Sequence, residues 1–208
     1  MSGLDQVATL APGSADAQRG EAFLSLALGH WDNALRQVKA SLAQDPLRVV
    51  SFYGLAEIQL RRGHLPEAEA AMRRGLDIRP TYAWGHWLLG MVLLARGDRD
   101  AALLEMQQVT ADDGRQSGLA MAYYTLGRRA DSDAALALLL KEHGNDSAYT
   151  ISNVYAFRGQ SDEAMHWLER AYAQKDSGVV YVKVEQPLRS LEKDLRFKAF
   201  LRKMNLPE

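Results

Sequence analysis

Gly29, Gly63 and Gly97 stand 34 residues apart, each is followed five residues later by an alanine (Ala34, Ala68, Ala102), and Pro12, Pro46 and Pro80 mark the same period. A repeat of ~34 residues reads as a helix–turn–helix unit that cannot bury its apolar face alone and must stack on its neighbours. The expected fold is therefore an all-α solenoid. In such a stack chain length counts hairpins, and 208 residues hold about five.

The second unit shows the pattern most fully. Phe52, Leu55, Ala56 and Leu60 form a stripe at helical spacing, Gly63 and His64 make the turn, and Glu67, Ala68, Met72, Gly75 and Leu76 carry the return helix. Ala56, Ala68 and Gly75 fall where the two helices approach, so a larger side chain there would force the hairpin apart at a cost of ~1–3 kcal/mol. Leu89, Gly90, Leu93, Gly97, Ala102, Leu103 and Met106 repeat the arrangement in the third unit.

Through Leu55-Ala56, Leu89-Gly90, the turn glycines, the alanines after them and the closing prolines, the chain resembles the tetratricopeptide repeat family. The resemblance implies a right-handed solenoid and divides the chain into units 15–48, 49–82, 83–112, 113–144 and 145–178. The later units are more degenerate. Leu119, Ala120, Tyr123, Gly127 and Ala134 mark the fourth, and Ile151, Ser152, Tyr155, Gly159, Ala164, Leu168 and Ala171 the fifth, with turn glycines 30 and 32 residues apart. This predicts a fourth turn, Arg128 to Asp133, longer by two residues, with Gly114 and Asn145 in place of the closing proline.

Residues 1–14 read either as the second helix of a partial preceding repeat or as an N-terminal cap, because Leu4, Val7, Ala8 and Leu10 have helical spacing ahead of Pro12. Beyond the fifth unit the pattern stops. Asp176-Ser177-Gly178 is a turn signal, β-branched Val179 to Val184 predict an extended linker, and Leu188 to Met204 an amphipathic capping helix, giving a closing region 179–208. In that region Leu191, Asp194, Arg196-Phe197, Leu201, Met204 and Leu206-Pro207 are similar to the closing segment of bacterial tetratricopeptide regulators whose repeats follow an output domain; Leu195 stands where that segment usually has proline.

Chemistry is not indicated. The chain has no cysteine, so thiolate metal sites and cysteine nucleophiles are excluded. It has no His-Glu-x-x-His, no phosphate-cradling glycine loop and no Gly-x-Ser-x-Gly elbow, and the histidines at 30 and 64 simply share a turn position. The expectation is a non-enzyme without metal or cofactor. A net charge of −1 gives no global field for nucleic acid. Lys183, Arg189, Lys193, Arg196, Lys198, Arg202 and Lys203 make the tail basic, and on a capping helix they fall on the solvent face. The longest apolar run, Trp87 to Ala95, is far short of the ~20 residues of a membrane helix. With Asp5 and no positive charge before Arg19 there is no secretory leader pattern, and a cytoplasmic location is the expectation.

The resemblance also implies where a partner would sit, since the first helices of this family line a concave groove. Counting the family's groove positions along each unit selects Arg19, Phe23, Tyr53, Glu57, Trp84, Trp87, Met91, Met121, Tyr124, Tyr149 and Asn153. Most are aromatic or methionine, which give large contact area at low entropic cost and adapt to irregular ligands. Relatives that clamp a carboxylate terminus place basic and amide side chains where this chain has Arg19, Phe23, Gly54, Trp84 and Leu88, so capture of a carboxylate is not supported. The reading is a protein-interaction scaffold holding a peptide or helix. Its alternatives are a self-associating scaffold, forming homo-oligomers, and a non-catalytic sensor of a small ligand.

Overall fold

Five glycines, Gly29, Gly63, Gly97, Gly127 and Gly159, adopt φ between +74° and +89°, the left-handed region in which a side chain would be strained. Each closes a helix in the same way. At Gly63 the glycine N–H donates to Leu60 O (3.0 Å) and the next N–H, of His64, reaches back to Gln59 O (2.9 Å), and the other four turns repeat both bonds. The computed structural model describes residues 21–22, 25–26 and 28–206. The segment 1–14, Arg19 and Phe23 lie outside the described residues.

Glu21, Ala22, Ser25 and Leu26 are helical and lead through the Gly29 turn into α1 (Trp31–Gln44). Four hairpins follow: α2 (Val49–Arg61) with α3 (Leu65–Ile78), α4 (Gly85–Arg96) with α5 (Arg99–Gln107), α6 (Asp112–Thr125) with α7 (Arg129–His143), and α8 (Ala148–Phe157) with α9 (Ser161–Gln174). Two 3-10 helices, Ser177–Tyr181 and Pro187–Leu191, and a last helix α10 (Leu195–Lys203) complete the chain. No strand occurs among the described residues. The protein is an all-α solenoid of about five helix–turn–helix units with added C-terminal helices.

The small residues sit where the hairpins are tightest. Ala56, Ala68, Ala102 and Ala164 are fully buried, and a Cβ on Gly75 would lie 3.1 Å from the Phe52 Cβ of the facing helix. The irregularity falls elsewhere than expected. The fourth turn is not lengthened: Ser132, five residues after Gly127, takes the alanine's place, fully buried with its hydroxyl donating to Ala120 O (2.7 Å), while Ala134 is exposed. The shorter glycine spacing is absorbed instead by α5, which has 9 residues against 14 in α1 and α3. Gly114 is no closing residue either, since it lies inside α6.

The linker 179–184 is also not extended. The Asp176 carboxylate accepts the Gly178 N–H (2.9 Å), the chain turns into the first 3-10 helix, and Val179, Val182 and Val184 are all buried. A three-residue turn puts Val179 and Val182 on one side, and burial decides over β propensity. From there the chain crosses the concave face. Tyr181 packs against a cluster of Ala22, Leu26, Ala34 and Val38 from the first unit and Ile58 from α2, and Gln186 Nε2 donates to Leu60 O (3.3 Å). Leu188 and Leu191 return to the end of the stack, where Phe197, Phe200 and Leu201 of α10 join Ala164, Leu168 and Ala171 of α9 in one core. The Phe200 ring meets Tyr172 edge-on at 5.7 Å.

Candidate functional site

The first helices α2, α4, α6 and α8 face the inner side of the solenoid, and the crossing segment 177–185 closes one wall. Between them lies a cavity of about 490 Å³. From α2 it is lined by Val50, Tyr53 and Glu57; from the turn before α4 and from α4 itself by Tyr82, Trp84 and Trp87. Asp113, Ser117 and Met121 of α6 and Asp146, Ser147, Tyr149, Thr150 and Asn153 at α8 continue the lining, and Asp176, Ser177, Gly178, Tyr181 and Glu185 complete it.

Two glycines set the aromatic walls. A Cβ on Gly114 would come within 2.6 Å of the Trp84 ring and one on Gly178 within 2.3 Å of the Tyr149 ring, so both rings lie directly against backbone. Trp84 and Trp87 meet edge-on at 5.9 Å, and so do Tyr53 and Tyr82. These contacts hold the rings at fixed angles.

The floor carries a buried ion cluster. Arg61 Nη2 lies 2.6 Å from Glu57 Oε1 and 3.2 Å from Glu185 Oε2, and its Nη1 donates to Val184 O. Tyr149 Oη approaches the same Glu185 oxygen at 3.4 Å. Burial alone would weaken the Arg61 guanidinium's hold on its proton, but the charges of Glu185 and Glu57 reverse this and hold it above its ordinary value. Burial pushes the Glu57 carboxyl up, against the pull of Arg61, and raises the Tyr53 and Tyr149 phenols as well. The cluster clasps the crossing segment to α2.

Of the residues selected from the sequence, Tyr53, Glu57, Trp84, Trp87, Met121, Tyr149 and Asn153 line this one cavity. Met91 lies further along the concave face, in a smaller cavity of about 190 Å³ beside Leu60, Phe157, Gln186 and Pro187. Tyr124 stands apart. Its hydroxyl donates to Arg158 O (2.8 Å), its ring meets Phe157 edge-on, and the Arg129 guanidinium covers it at 3.7 Å. Val50, Ser117 and Asp146 line the cavity without standing out in the sequence, being small or polar where the conspicuous groove residues are aromatic. The wall from Asp176 to Glu185 begins at the end of the fifth unit and continues beyond it, and it has no counterpart in the position count.

A family model described as tetratricopeptide repeat matches residues 24–83, and a second of the same description matches 83–103. Residues 24–103 thus carry tetratricopeptide repeats. Among solved structures it is similar to TTC0263, a thermophilic TPR protein of Thermus thermophilus, with a TM-score of 0.65 and 20% identity over 91% of this chain and 98% of that one. It is also similar to PilW, a type IV pilus biogenesis factor, with a TM-score of 0.59 and 15% identity over 91% and 92% of the two chains. YrrB, described as a TPR protein with an unusual peptide-binding site, gives a TM-score of 0.53 and 15% identity over 88% and 97%. At these identities the likeness is one of fold. No curated protein matches the chain.

Two further features of the chain bear on chemistry. Asp112, Glu142 and His143 bring one ligand atom each within 4.8 Å of one another, two exposed carboxylates and a half-buried imidazole that the histidine spacing did not reveal because the group joins two helices. None of these three lines the cavity. Among the described residues no helix is long and apolar enough to cross a membrane.

Proposed function

We propose that this protein is an interaction scaffold whose concave groove holds a peptide or helix of a protein partner. The observation that carries the reading is the cavity itself: four successive first helices converge on it, and α2, α8 and the start of α4 bring aromatic side chains whose edge-on contacts set their angles, the arrangement that concentrates binding energy in a few anchors. The fold likeness to YrrB, a protein with a peptide-binding site, supports it. The similarity of residues 191–207 to the closing segment of bacterial tetratricopeptide regulators further supports a place for the scaffold in such a regulator, where partner binding would tune an output domain.

The reading is tested by Trp87→Ala and Tyr53→Ala in pull-downs from lysate. Each should weaken partner capture by ~2 kcal/mol or more with the helical signal intact. Charge reversal at Lys198 or Arg202 should matter little, and the opposite ranking would move the interaction surface to the basic tail. The cavity's volume also suits a small ligand, so a sensor is the second reading. A tryptophan fluorescence change on adding metabolites, without any peptide response, would favour it.

A further inference from the structure

The lining of the cavity is one-sided in charge. Glu57, Asp113, Asp146, Asp176 and Glu185 contribute carboxylates, and among the described residues no lysine, arginine or histidine lines it. The guanidinium behind the floor, Arg61, is shared between Glu57 and Glu185 and leaves the pair with an excess of negative charge. Asp176 is occupied as a turn acceptor, taking the N–H groups of Tyr149 and Gly178 at 2.9 Å each. Asp113 and Asp146 remain at the rim, where their protein partners are the Ser147 hydroxyl, the Gly114 N–H and, 3.6 Å from Asp146, the His143 imidazole.

An acidic rim alone would be a solvated surface. Here it opens onto six aromatic rings, Tyr53, Tyr82, Trp84, Trp87, Tyr149 and Tyr181, whose faces attract cations. A second observation points the same way. Asn153, only 6% exposed and part of the lining, has a buried Oδ1 with no hydrogen-bond partner, an acceptor that a donor entering the cavity would satisfy. Trp87 has the complementary need, a buried indole N–H without an acceptor. An ammonium or guanidinium supplies donors only. A peptide carrying one supplies backbone carbonyl acceptors as well.

We infer that the groove is built for a basic peptide segment, with an arginine or lysine side chain inserted between the aromatic rings toward Asn153 and the carboxylates at the rim. This deepens the scaffold reading and rests on it. Charge complementarity selects this occupant over an acidic or purely apolar peptide. The protein's own basic tail is held elsewhere, with Lys203 on Glu169 at 2.7 Å and Arg196 on Asp162 at 2.8 Å.

The test uses the full chain and labelled peptides of equal length, one bearing arginine and lysine, one acidic, one apolar and uncharged, with free arginine amide as the small-cation control. Fluorescence anisotropy should show the basic peptide binding most tightly and weakening with salt. The double replacement Asp113→Asn with Asp146→Asn, which keeps shape and leaves the Arg61 cluster intact, should weaken it about tenfold, as should Trp84→Ala. Equal binding of the apolar peptide, unaffected by the rim replacements, would overturn the charge inference while leaving the groove reading standing. Arginine amide binding as tightly as the basic peptide would overturn both in favour of a small-ligand site, and binding of none of the probes would overturn both outright.

Discussion

Toward one end of the concave face Leu60, Met91 and Phe157 lie beneath Gln186 and Pro187, with about 190 Å³ left between them; toward the other, Tyr53, Trp84, Trp87 and Tyr149 surround about 490 Å³. Both sets come from the same first helices of the repeats, so the repeat does not create the difference. The chain between Ser177 and Leu191 does. It lays a proline and a glutamine over the apolar half and turns Tyr181 and Glu185 toward the aromatic half. In this solenoid the length of concave face left uncovered is decided by the segment that follows the last hairpin, and a position rule cannot distinguish a residue facing the open cavity from one facing the protein's own tail.

The severest way to break this contrast is to remove the segment. Truncation after Gly178 strips the cover from Leu60 and Met91, takes away Leu188, Leu191, Phe197 and Phe200, each at most 3% exposed, and leaves the end of the stack bare. Phe200→Ala alone should cost ~3–5 kcal/mol, so the truncated chain should melt far lower and aggregate by light scattering. A normal melting temperature would show the covered half to be independent of its cover.

The clasp can be cut separately. Arg61→Ala leaves Glu57 and Glu185 facing each other in a buried site without their shared cation, a change expected to cost ~3–5 kcal/mol. Glu57→Gln should cost much less, since Arg61 keeps Glu185. Because burial raises the folded-state Glu57 carboxyl above its unfolded value, protonation favours the fold, and that contribution is complete below the unfolded value and lost as pH rises through the folded one. Stability of Glu57→Gln should therefore lack this dependence in chemical denaturation across acid pH. Equal destabilisation by both replacements would mean that the Glu57–Arg61 pair holds the clasp and the Glu185 contact adds little.

Gly114→Ala reaches only the aromatic half. The new methyl group would meet the Trp84 ring at 2.6 Å, and displacing that ring should cost ~1–3 kcal/mol in stability. Tryptophan emission should shift while the melting of the C-terminal core around Phe200 is spared. An unchanged spectrum would show that Trp84 is free to move, and would weaken the case for rigid aromatic walls.

The repeat half of this comparison is legible in the sequence because glycine in the left-handed region has few substitutes: the five turn glycines appear at or near their period even where the rest of a unit has drifted. Alanine is less exclusive. Ser132 replaces it by bonding its hydroxyl to Ala120 O, which is why counting alanines misplaces the fourth turn. The aromatic cavity is half legible, since Tyr53, Trp84, Trp87 and Tyr149 are conspicuous by type and position. Its acidic character and its closing wall are not. Glu185 meets Arg61 across 124 positions of sequence, and β-branched valines read as extended until burial on a 3-10 turn is seen to win. Tyr124 shows the converse case, a residue of the right type at a groove position that lies apart from this cavity, its ring against Arg129 and Phe157.

The smallest expected effect lies at the rim, at His143. Partial burial opposes its protonation, but the hydrogen bond with Asp112 and the charges of Asp113, Asp146 and Asp112 raise the folded-state value above the ordinary one. The imidazole stands 3.2 Å from Asp112 and 3.6 Å from Asp146, linking the end of α7 to the start of α6 and to the loop before α8. Because the folded state holds the proton more tightly than the unfolded chain, the stabilisation is complete below the unfolded value of about 6.5 and disappears as pH rises through the folded value. Both aspartates are largely exposed, so solvent screens the pair and the whole effect should stay below ~1 kcal/mol. His143→Gln should thus lower stability slightly at acid pH and leave it unchanged in alkaline buffer, as read by urea denaturation at the two pH values. The same replacement sharpens the contrast between the two halves. Removing a cation beside Asp146 makes the rim of the aromatic cavity more negative and should tighten the proposed basic peptide at acid pH only, whereas the covered half, lined by Leu60, Met91 and Phe157, should not respond. A loss of stability that persists above neutral pH would show His143 to be a packing residue and remove it from the electrostatics of the rim.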